Sequence, residues 1–213
     1  MLTKEIFEKN FTDSLNKNFP SYSKYFNFEY RVFFELTTSV FQVTKCMILE
    51  LHFATITLTN HILERLLKLA LISKAVGIKG IPTEDWNATF ALPNEKYGSL
   101  MLGNSIEQCL KEGLITESEK NYLFDIIRTH FRNGFSHADI NNVLKGFPET
   151  TQGFQGTFNS PGLLKPISLN SKVIPTIQTM QMESFAKSNA NNYFDFVFNL
   201  LGKIEARIIE FDK

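Results

Sequence analysis

The chain has 213 residues, a length that suits one large domain or two small ones and is ample for burying a core. Its 22 Lys plus Arg balance 22 Asp plus Glu, and only four His are present. That balance excludes a chain-wide electrostatic grip on nucleic acid or on an anionic membrane and leaves any phosphate chemistry to a local cluster. Gly and Pro together make up about 8% of the residues against roughly 12% in average usage, which favours long regular elements.

In chain order, Ile6, Phe7, Phe11 and Leu15 recur at helical spacing and predict a short amphipathic helix ending at Phe19-Pro20. Residues 29–76 contain neither Gly nor Pro and read as one long helical region, with a break expected near 36–39 or 55–60. Within it, Ile62, Leu63, Leu66, Leu67, Ala70 and Leu71 form an apolar stripe. Glu64 and Lys68, four apart in the favourable order, lie beside that stripe. Residues 77–93 hold Gly80, Pro82 and Pro93 and read as an irregular connection. A short helix over 99–113 should end at Gly113, and Thr116 with Glu119 has the spacing of a capping box opening the next helix, which runs to about Arg132 or beyond.

Residues 146–176 hold eight of the eighteen Gly and Pro. They read as a long irregular insertion of the kind that is often functional, with β-like segments at 156–158 and 172–174 that would make a hairpin. From 177 to 211 the helical pattern returns in Phe194, Val197, Phe198, Leu201, Ile204, Ile208 and Phe211. The expected fold is all-α: one domain, 1–213, an antiparallel helical bundle with an N-terminal helical extension over 1–28 and the insertion at 146–176 before the last helix.

Cys46 and Cys109 lack any CxxC or Cys/His spacing and read as two buried thiols of a reduced, cytoplasmic chain. The first residues lack the apolar run of a signal peptide, and the most apolar internal stretch, near 47–58, is interrupted by Glu50 and His52. No membrane association is therefore expected. His52 and His61 have no acid or Cys to complete a metal site and read as structural.

The segment Phe124-Asp-Ile-Ile-Arg128-Thr-His130-Phe-Arg132-Asn133-Gly-Phe-Ser-His137 stands apart, with two Arg and two His and no acid between Arg128 and His137. Arg132 and His137 are about 140° apart on an ideal helix, so their convergence requires the helix to end or distort between them; Gly134 and Ser136 allow it. The hexad Arg132-Asn133-Gly134-Phe135-Ser136-His137 resembles the Arg-polar-x-x-x-His motif of HEPN domains. Residues 61–68, with Glu64 and Lys68, are similar to the Glu-x-x-x-Lys face of an early HEPN helix. Residues 100–114 and the Thr116 helix start are similar to the helix preceding the motif helix. The likeness covers about 45–140, with 177–211 as the closing helix.

The resemblance implies a HEPN-like bundle that forms a homodimer, with both motifs facing a shared groove, and cleaves RNA without metal or cofactor. His137 would then handle protons, Arg132 would stabilise the phosphate, and Asn133 would orient them. Arg128 and His130 would assist RNA binding, although His130 also reads as an ordinary helix residue. Glu64 reads as a surface partner of Lys68, or alternatively as the group that holds the Arg132 guanidinium. The expected activity is a ribonuclease of the toxin, phage-defence or stress-response kind, with an antitoxin or other protein as a further partner. The competing reading is a non-catalytic HEPN-like dimer that binds nucleic acid, nucleotide or protein. A plainer one makes Arg132 a helix C-terminal cation and His137 a filler of a polar niche.

Overall fold

A computed structural model describes residues 3–136, 143–144, 147–157 and 160–212. The described chain is mostly helical, with one two-stranded antiparallel hairpin. Helix α1 spans Lys4–Tyr22, α2 Thr37–Ile48, α3 His52–Val76, α4 Trp86–Tyr97, α5 Leu102–Lys111 and α6 Glu117–Tyr122. A π-helical segment, Leu123–Ser136, continues α6. Strands β1, Thr150–Thr157, and β2, Ser160–Asn170, form the hairpin, and α7, Pro175–Phe211, closes the chain. Among the described residues no helix is long and apolar enough to cross a membrane.

The core is organised by α3 and α7, the most extensively packed pair of helices. Leu63, Leu66, Leu67 and Ala70 of α3 are fully buried, as are Phe194, Val197, Leu201 and Ile204 of α7. They form one cluster with Val43 of α2, Ile106 and Cys109 of α5, and Leu123 and Ile127 of the π-helical segment. Complete burial of each Leu or Ile contributes about 1.5–3 kcal/mol relative to exposure, so this stripe is the main stabilising feature of the bundle. The expected end stripe of α7 stops short of Phe211, which is 54% exposed.

Several boundaries differ from those expected. The long 29–76 region is interrupted within the first expected window, where a 3-10 turn over Phe34–Leu36 gives way to α2 at Thr37, and not at 55–60; a further, unexpected break falls between α2 and α3, where Glu50 adopts a left-handed φ of 57°. That conformation is strained for a residue with a side chain; it ends α2, with the Glu50 N–H donating to the Met47 carbonyl at 3.1 Å and the Leu51 N–H to the Cys46 carbonyl at 2.8 Å, and α1 packs beside it. Lys17 Nζ lies 2.8 Å from Glu50 Oε1, and Asn18 Nδ2 donates to the Ile48 carbonyl at 2.9 Å and to Glu50 Oε1 at 3.3 Å. Residues 27–33 are irregular because their N–H groups find a partner outside a helix. Oε1 of Glu205, a residue only 3% exposed, accepts from the N–H groups of Arg31, Val32 and Phe33 at 3.1, 2.8 and 2.9 Å.

Two prolines fail to end helices: α1 runs through Pro20 to Tyr22, and α4 runs through Pro93 inside the expected irregular connection. Both are outer helices, one with no buried residue and the other with only Tyr97, so the local distortion disturbs no core packing. The expected α5 end and α6 start are present. Gly113 takes φ +71°, the left-handed position past a helix end, and the Thr116–Glu119 capping box is formed reciprocally at 3.2 and 2.9 Å. Glu119 also binds Arg207 of α7 through both carboxylate oxygens, tying the α6 start to the closing helix.

The insertion contains a hairpin longer than expected and displaced from it. β1 and β2 pair from Thr150 opposite Asn170 to Thr157 opposite Ser160, so among the described residues of the two expected segments only 156–157 fall in a strand. Phe154, Leu163 and Leu164 on it are 70%, 72% and 59% exposed.

Candidate functional site

The π-helical segment is the unusual local feature. Its backbone N–H groups bond five residues back, a winding that is rare beyond a single turn and recurs at functional sites. Side-chain donors serve its carbonyls: Thr129 Oγ1 donates to Phe124 O at 3.3 Å, and Asn60 Nδ2 of α3 donates to Phe131 O at 3.2 Å. Asn60 is itself held by Tyr193 of α7, whose hydroxyl donates to Asn60 Oδ1 at 2.7 Å. Burial, with the Glu64 carboxylate nearby, keeps the Tyr193 phenol protonated well above its ordinary range, so it remains a donor.

The distortion expected between Arg132 and His137 therefore begins much earlier, at Leu123. His137, which carries the proposed proton chemistry, lies outside the described residues.

Arg132 is placed by two elements. Its Nε lies 3.1 Å from Glu64 Oε1 of α3, and its NH1 donates to Asn133 Oδ1 at 3.3 Å. Both partners of the Arg132–Glu64 pair are partly sheltered, with 27% and 29% of their side-chain surfaces exposed. A pair this exposed contributes little stability, and its effect is to fix the guanidinium. Glu64 thus takes the alternative role, not the surface pairing with Lys68: no ion pair joins Glu64 to Lys68, which is half-buried beside it.

The remaining candidates are not all gathered at this point. Arg128 is exposed and lies over the Phe124 ring, 5.2 Å from its centroid, close to Gly103 of α5. His130 is half-buried on the same segment. Below Arg132 the wall is aromatic: the Phe131 ring lies 4.5 Å from Tyr193 and 5.4 Å from Phe185, and Phe135 lies 5.3 Å from Phe53. Gly134 is required here by close approach. A Cβ at this position would collide with Cγ2 of Val143, where the chain folds back against the segment.

Sequence reasoning missed Asn60 and Tyr193. Asn60 carried a signal, being a polar residue four positions before Glu64 inside an apolar helix, but its partner 133 positions away did not. It also missed an open cleft of about 770 Å³ between the first turn of α3 and the start of α7, lined by His52 and Phe53 on one side and Met180, Glu183, Ser184 and Lys187 on the other. Among the described residues, no three His, Cys, Asp or Glu side chains converge as a metal site would require. Compared with known protein families, characterised proteins and solved structures, the chain matches none of them, so the likeness to HEPN domains rests on the residues themselves.

Proposed function

We propose that the chain is a metal-independent endoribonuclease of HEPN type, acting at the seam of a homodimer. The observation that carries this reading is the Arg132–Glu64 pair at 3.1 Å. It supports the reading by joining the two separate stretches that resemble HEPN domains, with Arg132 carried on the π-helical segment. In the proposed reaction, His137 of one chain or its symmetry mate removes the proton from a ribose 2′-hydroxyl. The 2′-oxygen attacks the adjacent phosphorus, the bond to the 5′-oxygen breaks, and a second His137 returns a proton to that leaving oxygen. Arg132 offsets the charge on the pentavalent phosphate, Asn133 keeps its guanidinium oriented, and Arg128 and His130 bind flanking backbone. Two-fold symmetry supplies the two His that one motif lacks.

The reading is tested by incubating single-stranded RNA with the protein in excess chelator. The wild type should cleave, whereas Arg132→Ala and His137→Ala should lose about 10²-fold or more of the rate, as losing one positioned group does, while keeping the dimer. Undiminished cleavage by either variant overturns the assignment. A second reading has its own support: Glu64 already offsets the Arg132 charge, as suits a HEPN-like dimer that binds RNA, nucleotide or a protein such as an antitoxin without cutting. RNA binding with no chelator-resistant cleavage would select it.

A further inference from the structure

We propose that the cleft between the first turn of α3 and the start of α7 is a base-binding subsite, which seats one unpaired nucleobase of the RNA beside the Arg132 motif. This rests on the ribonuclease reading for its position in the substrate. Its own grounds are shape and chemistry. The volume of about 770 Å³ lies within the usual range for small-molecule sites and is large enough for a nucleotide. The Phe53 ring, 40% exposed, and Met180, 60% exposed, offer apolar surface for the faces of a flat ring. Ser184, Glu183, His52 and Lys187 supply polar groups for its edges and for a flanking phosphate.

The charge in the cleft is balanced. Glu50 at its margin is engaged by Lys17, 2.8 Å away, and the lining carries one further carboxylate, Glu183, and one ammonium, Lys187. Burial pushes His52 below its ordinary value, with Lys187 acting in the same direction and Glu50 against it, so its ring is neutral at pH 7. Its Nδ1 is buried with no hydrogen-bond partner among the described residues. Neutral walls and polar edges suit a nucleobase better than a strongly charged ligand.

The cleft also adjoins the motif. Phe53, on its wall, meets Phe135 edge-on with the rings 5.3 Å apart, and Phe135 is the third residue after Arg132. Glu183 adds selectivity, because a carboxylate accepts hydrogen bonds from the amino groups of adenine, guanine and cytosine, whereas uracil offers it only an N3–H flanked by two carbonyl oxygens that repel it.

Calorimetric titration of the full-length protein with AMP and with UMP tests the proposal. The expected result is tighter binding of AMP, a loss of about tenfold or more in Phe53→Ala from the missing stacking contact, and a narrowed AMP/UMP difference in Glu183→Gln. Phe53 and Glu183 are both exposed, so neither variant should unfold, and Lys187→Ala provides a third substitution on the opposite wall. Absence of binding by the wild type, or binding by Phe53→Ala and Lys187→Ala equal to the wild type, overturns the subsite. Cleavage by Phe53→Ala with an unchanged KM also counts against the subsite and leaves the ribonuclease reading standing. AMP binding without any RNA cleavage removes only the ribonuclease reading.

Discussion

Glu64 and Arg132 are 68 positions apart in sequence, and their contact is the point at which folding sets up the proposed chemistry. Removing the carboxylate should loosen the guanidinium, which keeps its bond to Asn133, without disturbing the apolar stripe beneath it. In Glu64→Gln, the RNA cleavage rate is expected to fall by about 10-fold to 10²-fold while the melting temperature shifts by only a few degrees. Single-turnover kinetics alongside thermal unfolding measures both. Gly134→Ala is expected to behave differently. The new methyl group would meet Val143, and overpacking of this kind costs about 1–3 kcal/mol, which denaturant titration would detect as a lower midpoint. Glu119 gives a pH signature. Burial alone would raise its carboxyl, but the bonds from Arg207, the Thr116 N–H and Lys203 bring it down to about 2. A carboxyl held below its unfolded value adds stability that is fully present above about pH 4.5 and lost as pH falls towards 2. Thermal melts between pH 5 and 2 should therefore show a decline that is shallower in Glu119→Gln, a variant already less stable at neutral pH.

At the scale of elements, α3 and α7 hold the molecule together, whereas the hairpin rests mainly on its own pairing, with Gln181 of α7 donating to Thr151 of β1 at 3.4 Å. A two-stranded hairpin is marginal by itself in water, and this one keeps Phe154, Leu163 and Leu164 exposed. Hydrogen exchange should find the amides of β1 and β2 unprotected within seconds to minutes and those of α3 and α7 among the slowest. Equal protection throughout would contradict that ordering. The apolar stripes of α3 and α7, the Gly113 helix end and the Thr116–Glu119 box were legible in the sequence because each depends on residues within a few positions. The α2–α3 break was not, because the left-handed position that ends α2, closed by the Glu50 and Leu51 N–H bonds to the Met47 and Cys46 carbonyls, is taken by Glu50 and not by a glycine. The irregular run at 27–33 was equally hidden, since its donors are satisfied by Glu205. Replacing that carboxylate with Ala strands one buried N–H group, that of Phe33, and two partly buried ones, and should cost about 1–3 kcal/mol, read from chemical denaturation.

For the candidate site, the sequence supplied the hexad and the possibility that Glu64 holds Arg132. It did not supply the π-helical winding, the Asn60–Tyr193 support or the cleft at His52, all of which arise from packing between α3, α7 and the motif segment. At the scale of the whole molecule, the zero formal charge acquires a narrower meaning. It excludes a general coating of nucleic acid and is compatible with one concentrated site, doubled by a two-fold axis. The chain mass is 24.4 kDa, so sedimentation equilibrium should give about twice that value if the dimer forms. The most direct test of the proposed function is end-group analysis of RNA cut by the purified protein in excess chelator. Attack by the 2′-oxygen should leave 2′,3′-cyclic phosphate and 5′-hydroxyl ends, whereas 3′-hydroxyl and 5′-phosphate ends, or no cleavage, would contradict it.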